Sequence, residues 1–414
     1  MLSRKTLACL AFCVVIAPTL RAMNVSNLGN VVFEPEFHMD KRFEFAALAE
    51  RGTHVHAFDE CGFTENVLRI YNSDQDALAM LKGFSPSSSA GELDILLNAD
   101  DDGVRGHFKV DGKLDLLFNT TYGFRWHFAN DFIFSLFLPV MGMRLHDVEW
   151  CNQTLDVTAQ DVRVRELLTD NFFSNVERLG SLDLQGWRRE GLGDLTGYVE
   201  WWHDFPQPKP LLKNIRLNAR LGLSAPTGHT KNEDLLFAVP FGNDGAWGLI
   251  GEGGLKAQLG RYVRLGFDVA LTHLFGNSKL RRIKTDFEQT ELLLLQKVCA
   301  FKDYGLLQQF TLYFEFYKVY RGLSFRAYYQ FNKKGDDKLA IDTQDFSNII
   351  ANSSRSLEEW TSHYAILMAD YDFGYDPTRD ARVKPRLTFY SRVPFNGKNV
   401  ALFTSVGATL AVDF

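Results

Sequence analysis

From about residue 112 onward the chain alternates apolar and polar positions with a period of two, the mark of a strand with one apolar and one polar face. In Asn214 to Ser224 the apolar face is Ile215, Leu217, Ala219, Leu221 and Leu223, against Arg216, Asn218, Arg220 and Ser224. In Tyr262 to His273 it is Val263, Leu265, Phe267, Val269 and Leu271, against Arg264, Gly266, Asp268 and Thr272. In Arg321 to Asn332 it is Leu323, Phe325, Ala327, Tyr329 and Phe331, against Ser324, Arg326, Tyr328 and Gln330. A soluble strand is usually about five or six residues long, whereas a tilted membrane strand needs about 9–11. A soluble sandwich with one wet face would show shorter runs.

The pattern predicts strands near 113–127, 131–147, 192–204, 212–225, 246–260, 261–276, 306–319, 321–333, 360–374, 382–394 and 399–414. A first strand lies somewhere in 43–98. The connections alternate in length: 128–130, 205–211, 260–261, 319–321 and 375–381 are short, while 148–191, 226–245, 277–305 and 334–359 are long. Phe395 to Lys398 is the one short connection on the long side. Short periplasmic turns and long outer loops belong to membrane barrels, and a sandwich has no reason to produce them. The expected fold is therefore all-β: a single antiparallel transmembrane β-barrel of about twelve strands, with fourteen as the alternative count.

Residues 1–22 read as a secretory signal, with Arg4 and Lys5 ahead of the apolar run Leu7 to Ile16 and Ala22 before the cut. Residues 23–98 form an N-terminal segment whose role stays open between first strand, periplasmic extension and lumen plug; 99–414 form the barrel. No later apolar run reaches the length of a membrane helix, which leaves a closed barrel as the only spanning solution. The 414 residues carry 45 basic and 51 acidic side chains. That acidic balance argues against a nucleic-acid partner, which needs a basic footprint. Removing the signal leaves Cys61, Cys151 and Cys299, enough for one bridge at most.

The last strand spaces Ser405, Gly407, Leu410, Val412 and Phe414 as an outer-membrane insertion signal, so the expected partners include the barrel-assembly machinery and outer-membrane lipid. Val406, Ala408, Leu410, Val412 and Phe414 make one lipid-facing row. Two further segments, Gly191-Leu-Gly-Asp-Leu-Thr196 and Leu223-Ser-Ala-Pro-Thr-Gly228, precede the Gly-rich strand at Gly245 to Gly254. They resemble the landmarks of the phenol meta-pathway transporter-like outer-membrane proteins, distant relatives of the long-chain fatty acid transporter group, over roughly residues 113–414. The Asn-Pro-Ala landmark of the fatty acid transporters is absent. The resemblance implies uptake of small molecules.

Assigning inward faces strand by strand gives the acids Asp115, Asp194, Glu200, Glu252, Asp268 and Glu315. The bases are Arg125, Arg216, Arg220, Lys256, Arg264, Arg326, Lys384, Arg386 and Arg392. Nine bases to six acids favours passage of anionic or aromatic small solutes. Against this stands a sealed structural barrel whose charges pair across the lumen. Lys384, Arg386 and Arg392 on one strand are the expected unpaired basic strip. A metal site at His54 and His56 and a hydrolase built on Asp234, Asp244 and His229 carry less weight, because neither set is complete. No cofactor, metal or catalytic residue is expected. The run Lys279 to Lys284 reads as a solvated loop patch, and Trp201 and Trp202 as part of an interfacial aromatic belt.

Overall fold

The computed structural model describes residues 40–97, 103–375 and 382–414. Twelve strands form a closed antiparallel ring: β1 (Phe43–Phe58), β2 (His107–Ala129), β3 (Phe132–Asn152), β4 (Leu195–Pro206), β5 (Leu212–Ala225), β6 (Gly248–Leu259), β7 (Val263–Leu274), β8 (Leu307–Tyr320), β9 (Leu323–Lys334), β10 (Trp360–Asp372), β11 (Lys384–Lys398) and β12 (Val400–Asp413). The first strand falls at the start of the open interval. It pairs with β12 from Glu44↔Asp413 to Phe58↔Val400 and with β2 from Phe43↔Trp126 to Glu50↔Asn119, which closes the ring. The expected signal at 1–22 and most of the turn at 375–381 lie outside the described residues.

The rows read as apolar do face outward. Leu221 and Leu367 are each 63% exposed, and Phe267, Leu312, Phe325, Phe389 and Leu410 are exposed beside them. An apolar belt around a whole ring is stable only against hydrocarbon, so the barrel is a transmembrane one. Among the described residues no helix is long and apolar enough to cross a membrane. At the short-turn end Arg321 and Gly322 both take positive φ, +40° and +92°, which suits the right-handed twist of the flanking strands. Phe414 lies on the closing seam. Its carbonyl accepts the N–H groups of Arg42 and Phe43, and its ring stacks with Phe45 at 5.7 Å.

The opposite end is built differently. β2 and β3 run on for 23 and 21 residues, and Trp187–Leu192 pairs onto β3 there. Asn277–Arg282, Lys297–Asp303 and Lys338–Ile341 form a separate three-stranded sheet. With 59–97 and the helices Ala159–Val164 and Phe172–Gly180, these long connections pack into a cap around an apolar core that includes Leu68, Met80, Leu145, Leu168 and Phe241. Residues 43–97 thus supply both a barrel strand and part of this cap.

Candidate functional site

The lumen is crossed by a network of paired charges. Arg125 reaches Glu44 at 3.5 Å and Glu200 at 3.1 Å, and Arg220 joins Glu200 at 3.2 Å to Glu252 at 3.3 Å. On the other wall Arg326 bridges Glu315 at 2.9 Å and Asp370 at 2.6 Å, with Arg264 also at Glu315. Arg386 binds both Glu44 and Asp413. Arg125, Glu200 and Glu315 are each 1% exposed, so water does not reach this layer. Ion pairs withdrawn from water this far hold only when each charge keeps its partner and its hydrogen bonds.

The expected basic strip is overturned. Lys384 pairs with Asp40 at 2.7 Å, Arg386 is held by two carboxylates, and Arg392 lies 4.0 Å from Glu50. The basic excess disappears as well, because Glu44, Glu50 and Asp413 are buried, and Asp370 half-buried, among the other lumen charges. The two β1 acids escaped the sequence reading because that strand could not be placed. On β10, Tyr364, Ile366 and Met368 face inward while Leu367 and Tyr371 are exposed, so both faces are apolar and hydropathy cannot tell them apart. Asp115 turns outward, where it binds Arg144 at 2.7 Å. A register shift between Leu116 and Phe118 reverses the facing of β2 above that point.

Of the remaining expected lumen residues, Arg216 binds Asp204 through two nitrogens at 3.0 and 2.7 Å. Asp268 accepts from Asn218 at 3.1 Å. Lys256 is half-buried, with its amine over the Tyr313 ring. Trp202 leaves the expected belt: it is buried inside, under the guanidiniums of Arg125 and Arg216, while Trp201 stays on the other face.

Asp194 belongs to the rim of the cap. Its carboxylate accepts the backbone N–H of Gly228 at 2.8 Å and that of Asn243. Thr227 Oγ1 donates to the Gly193 carbonyl at 3.1 Å and accepts from Leu195 N–H at 2.9 Å. The two landmark motifs are therefore one clamp that ties the connection after β3 to the connection after β5. Burial raises the Asp194 carboxyl above the usual carboxylate range, against the pull of the two N–H donors.

Inside the cap is a cavity of about 170 Å³. Its apolar lining includes Tyr71, Leu236, Phe237, Val239, Leu292 and Leu339. Its polar lining includes Arg281, Lys302, Lys334, Asp244, Asp337 and Tyr304. Arg281 and Arg282 of that lining belong to the run at 279–284, which is no solvated patch. Arg281 and Lys284 are buried, Arg281 lies 2.9 Å from Asp244, and Arg282 donates to the carbonyls of Leu294, Leu295 and Gly180. Burial pushes the Asp244 carboxyl up, but Lys279 and Arg281 outweigh it and hold the group below its ordinary value.

The weaker constellations take structural places. His54 and His56 meet edge to face at 4.8 Å, and no group of three metal-ligating side chains occurs among the described residues. Asp59 caps a turn through the N–H groups of Cys61 and Phe63. Cys61, Cys151 and Cys299 are free thiols. Asp234 and Asp244 are in ion pairs, and the His229 ring lies against Gly191 and Phe241.

No family model matches the chain, and no curated protein matches it. Among solved structures it is similar to an outer-membrane channel from Pseudomonas putida F1, at 12% identity and a TM-score of 0.47 over 90% of this chain and 95% of that one. It is also similar to a Pseudomonas aeruginosa FadL homologue, at 9% identity and 0.32 over 95% and 98%. The Ralstonia pickettii toluene transporter TbuX gives 10% and 0.31 over 95% and 94%. These are members of the group suggested by the Gly191–Thr196 and Leu223–Gly228 landmarks.

Proposed function

We propose that this chain is a bacterial outer-membrane channel or transporter for small solutes, with anionic or aromatic ones favoured. The observation that carries the reading is the cap cavity. It sits at the long-loop end of a closed barrel and offers one occupant both apolar side chains and the bases Arg281, Lys302 and Lys334, which are held in pairs by Asp244 and Asp337. An amphipathic molecule with a flat apolar body and a carboxylate satisfies both, since guanidinium and ammonium groups bind carboxylates through charge-assisted hydrogen bonds. Phe414, Val412, Leu410 and Gly407 form the strand presented to the assembly machinery, and residues 1–22 direct export. The long-loop end faces outward and the seam at Phe414 faces the periplasm.

One observation favours a second reading, a pore-less structural barrel: the lumen charges are paired and closed to water. Planar-bilayer conductance and benzoate flux into proteoliposomes separate the two. Conductance with benzoate entry supports the passage. A protein that neither conducts nor moves benzoate, while inserted in the closed-barrel form, leaves the sealed barrel. Orientation has its own test. Labels at 334–359 should react on intact cells and labels at 205–211 should not; the reverse pattern would overturn it.

A further inference from the structure

We infer that Lys256 forms a subsite for carboxylate-bearing solutes near the short-turn end of the lumen, a proposal that rests on the passage reading above. Eight of the nine expected lumen bases meet a carboxylate. Lys256 meets none among the described residues, and its amine lies over the face of Tyr313, 5.4 Å from the ring centre. It is also half-buried where Arg125 and Glu315 are closed off, so a solute can reach it.

The register explains why the charge stays unmatched. Lys256 lies directly opposite Arg216 on β5 and Gly266 on β7. Like charges placed opposite each other on neighbouring strands repel, and Arg216 has already given its fork to Asp204. Asp268, the acid two positions along β7 from Gly266, accepts from Asn218 instead. Gly266 has no side chain to compete for the space. A Cβ there would lie 2.0 Å from the Tyr313 ring, which occupies the vacant position. The amine therefore stands beside an aromatic face, with a second cation across from it. A solute carboxylate at Lys256 would meet an ammonium that pairs with no carboxylate among the described residues.

The test uses the full-length protein in bilayers, with benzoate as the probe, and Lys256→Gln beside Lys256→Arg. Lys256→Gln should shift the reversal potential toward cations and lower benzoate flux several-fold, while Lys256→Arg should keep wild-type selectivity. Benzoate should also protect the Lys256 amine from a water-soluble acylating reagent, read by peptide mass spectrometry. A conducting channel whose selectivity ignores Lys256→Gln overturns the subsite and leaves the passage standing. A protein that neither conducts nor moves benzoate overturns the passage; acylation then decides the subsite alone, since protection by benzoate upholds an anion site and unhindered acylation removes it.

Discussion

The barrel and its cap bury different mixtures. Inside the ring the least exposed groups include the charged Arg125, Glu200, Glu315 and Asp413, while Leu221, Leu367 and Phe389 stand outside. Inside the cap they include Leu68, Met80, Leu145 and Leu168, packed as in a water-soluble core, beside the buried pair Lys334–Asp337. One chain makes both because its surroundings differ. Hydrocarbon around the ring rewards an apolar exterior and leaves polar side chains only the lumen, where each must find a partner. Water around the cap drives apolar side chains inward without regard to direction. The ring's interior is thus held by directional pairs and the cap's by area and fit.

The largest break in that comparison is expected at Glu200. Glu200→Ala takes the carboxylate shared by Arg125 and Arg220, leaving them Glu44 and Glu252, and removing one member of a buried pair costs up to about 3–5 kcal/mol. Urea unfolding in micelles, followed by the loss of the compact gel band, should show it, with protease resistance of the cap unchanged. An unaltered midpoint would mean that the lumen charges are not what holds the ring. Leu168→Ala should act the other way round. Leu168 is fully buried in the cap, and the cavity should cost about 3 kcal/mol, read as faster proteolysis at 153–180 with the barrel's urea midpoint kept. Loss of the barrel in this variant would join the two regions into one cooperative unit.

A smaller effect separates the cap by pH. Asp161 caps the helix Ala159–Val164 and binds Arg105, whose hydrogen bond holds the carboxyl down at about 2 against an ordinary 3.8. A depressed carboxylate contributes its stability above the unfolded value and loses it as the pH falls through the folded one. Peptic cleavage of the cap should therefore rise between about pH 4 and pH 2 in the wild type. Asp161→Asn should already be cleaved faster at pH 4, and the two should converge near pH 2. Parallel curves would exclude Asp161 as the titrating group. The smallest change is expected at Lys384, whose partner Asp40 is 53% exposed. Lys384→Gln should move the urea midpoint by less than about 1 kcal/mol, well short of any Glu200 effect.

Periodicity carried the ring. Strands at Asn214 to Ser224, Tyr262 to His273 and Arg321 to Asn332 were legible because one face met lipid and the other met polar groups. The alternation of loop lengths gave the count and connectivity. It failed at β1 and β10, where inward Leu48, Ile366 and Met368 make the two faces alike, and above residue 116 on β2, where one register shift reverses every side chain. Which charges would meet was beyond it, since the pair Arg386–Glu44 spans the closing seam and depends on ring closure between β1 and β12. So was the clamp at Asp194: two short motifs 34 residues apart are joined only because β4 and β5 bring their ends together. Local hydropathy responds to the solvent each face meets, and a chain can record that residue by residue. Pairing, clamping and the place of Lys256 among the lumen bases depend on distances between strands that exist only once the ring has closed.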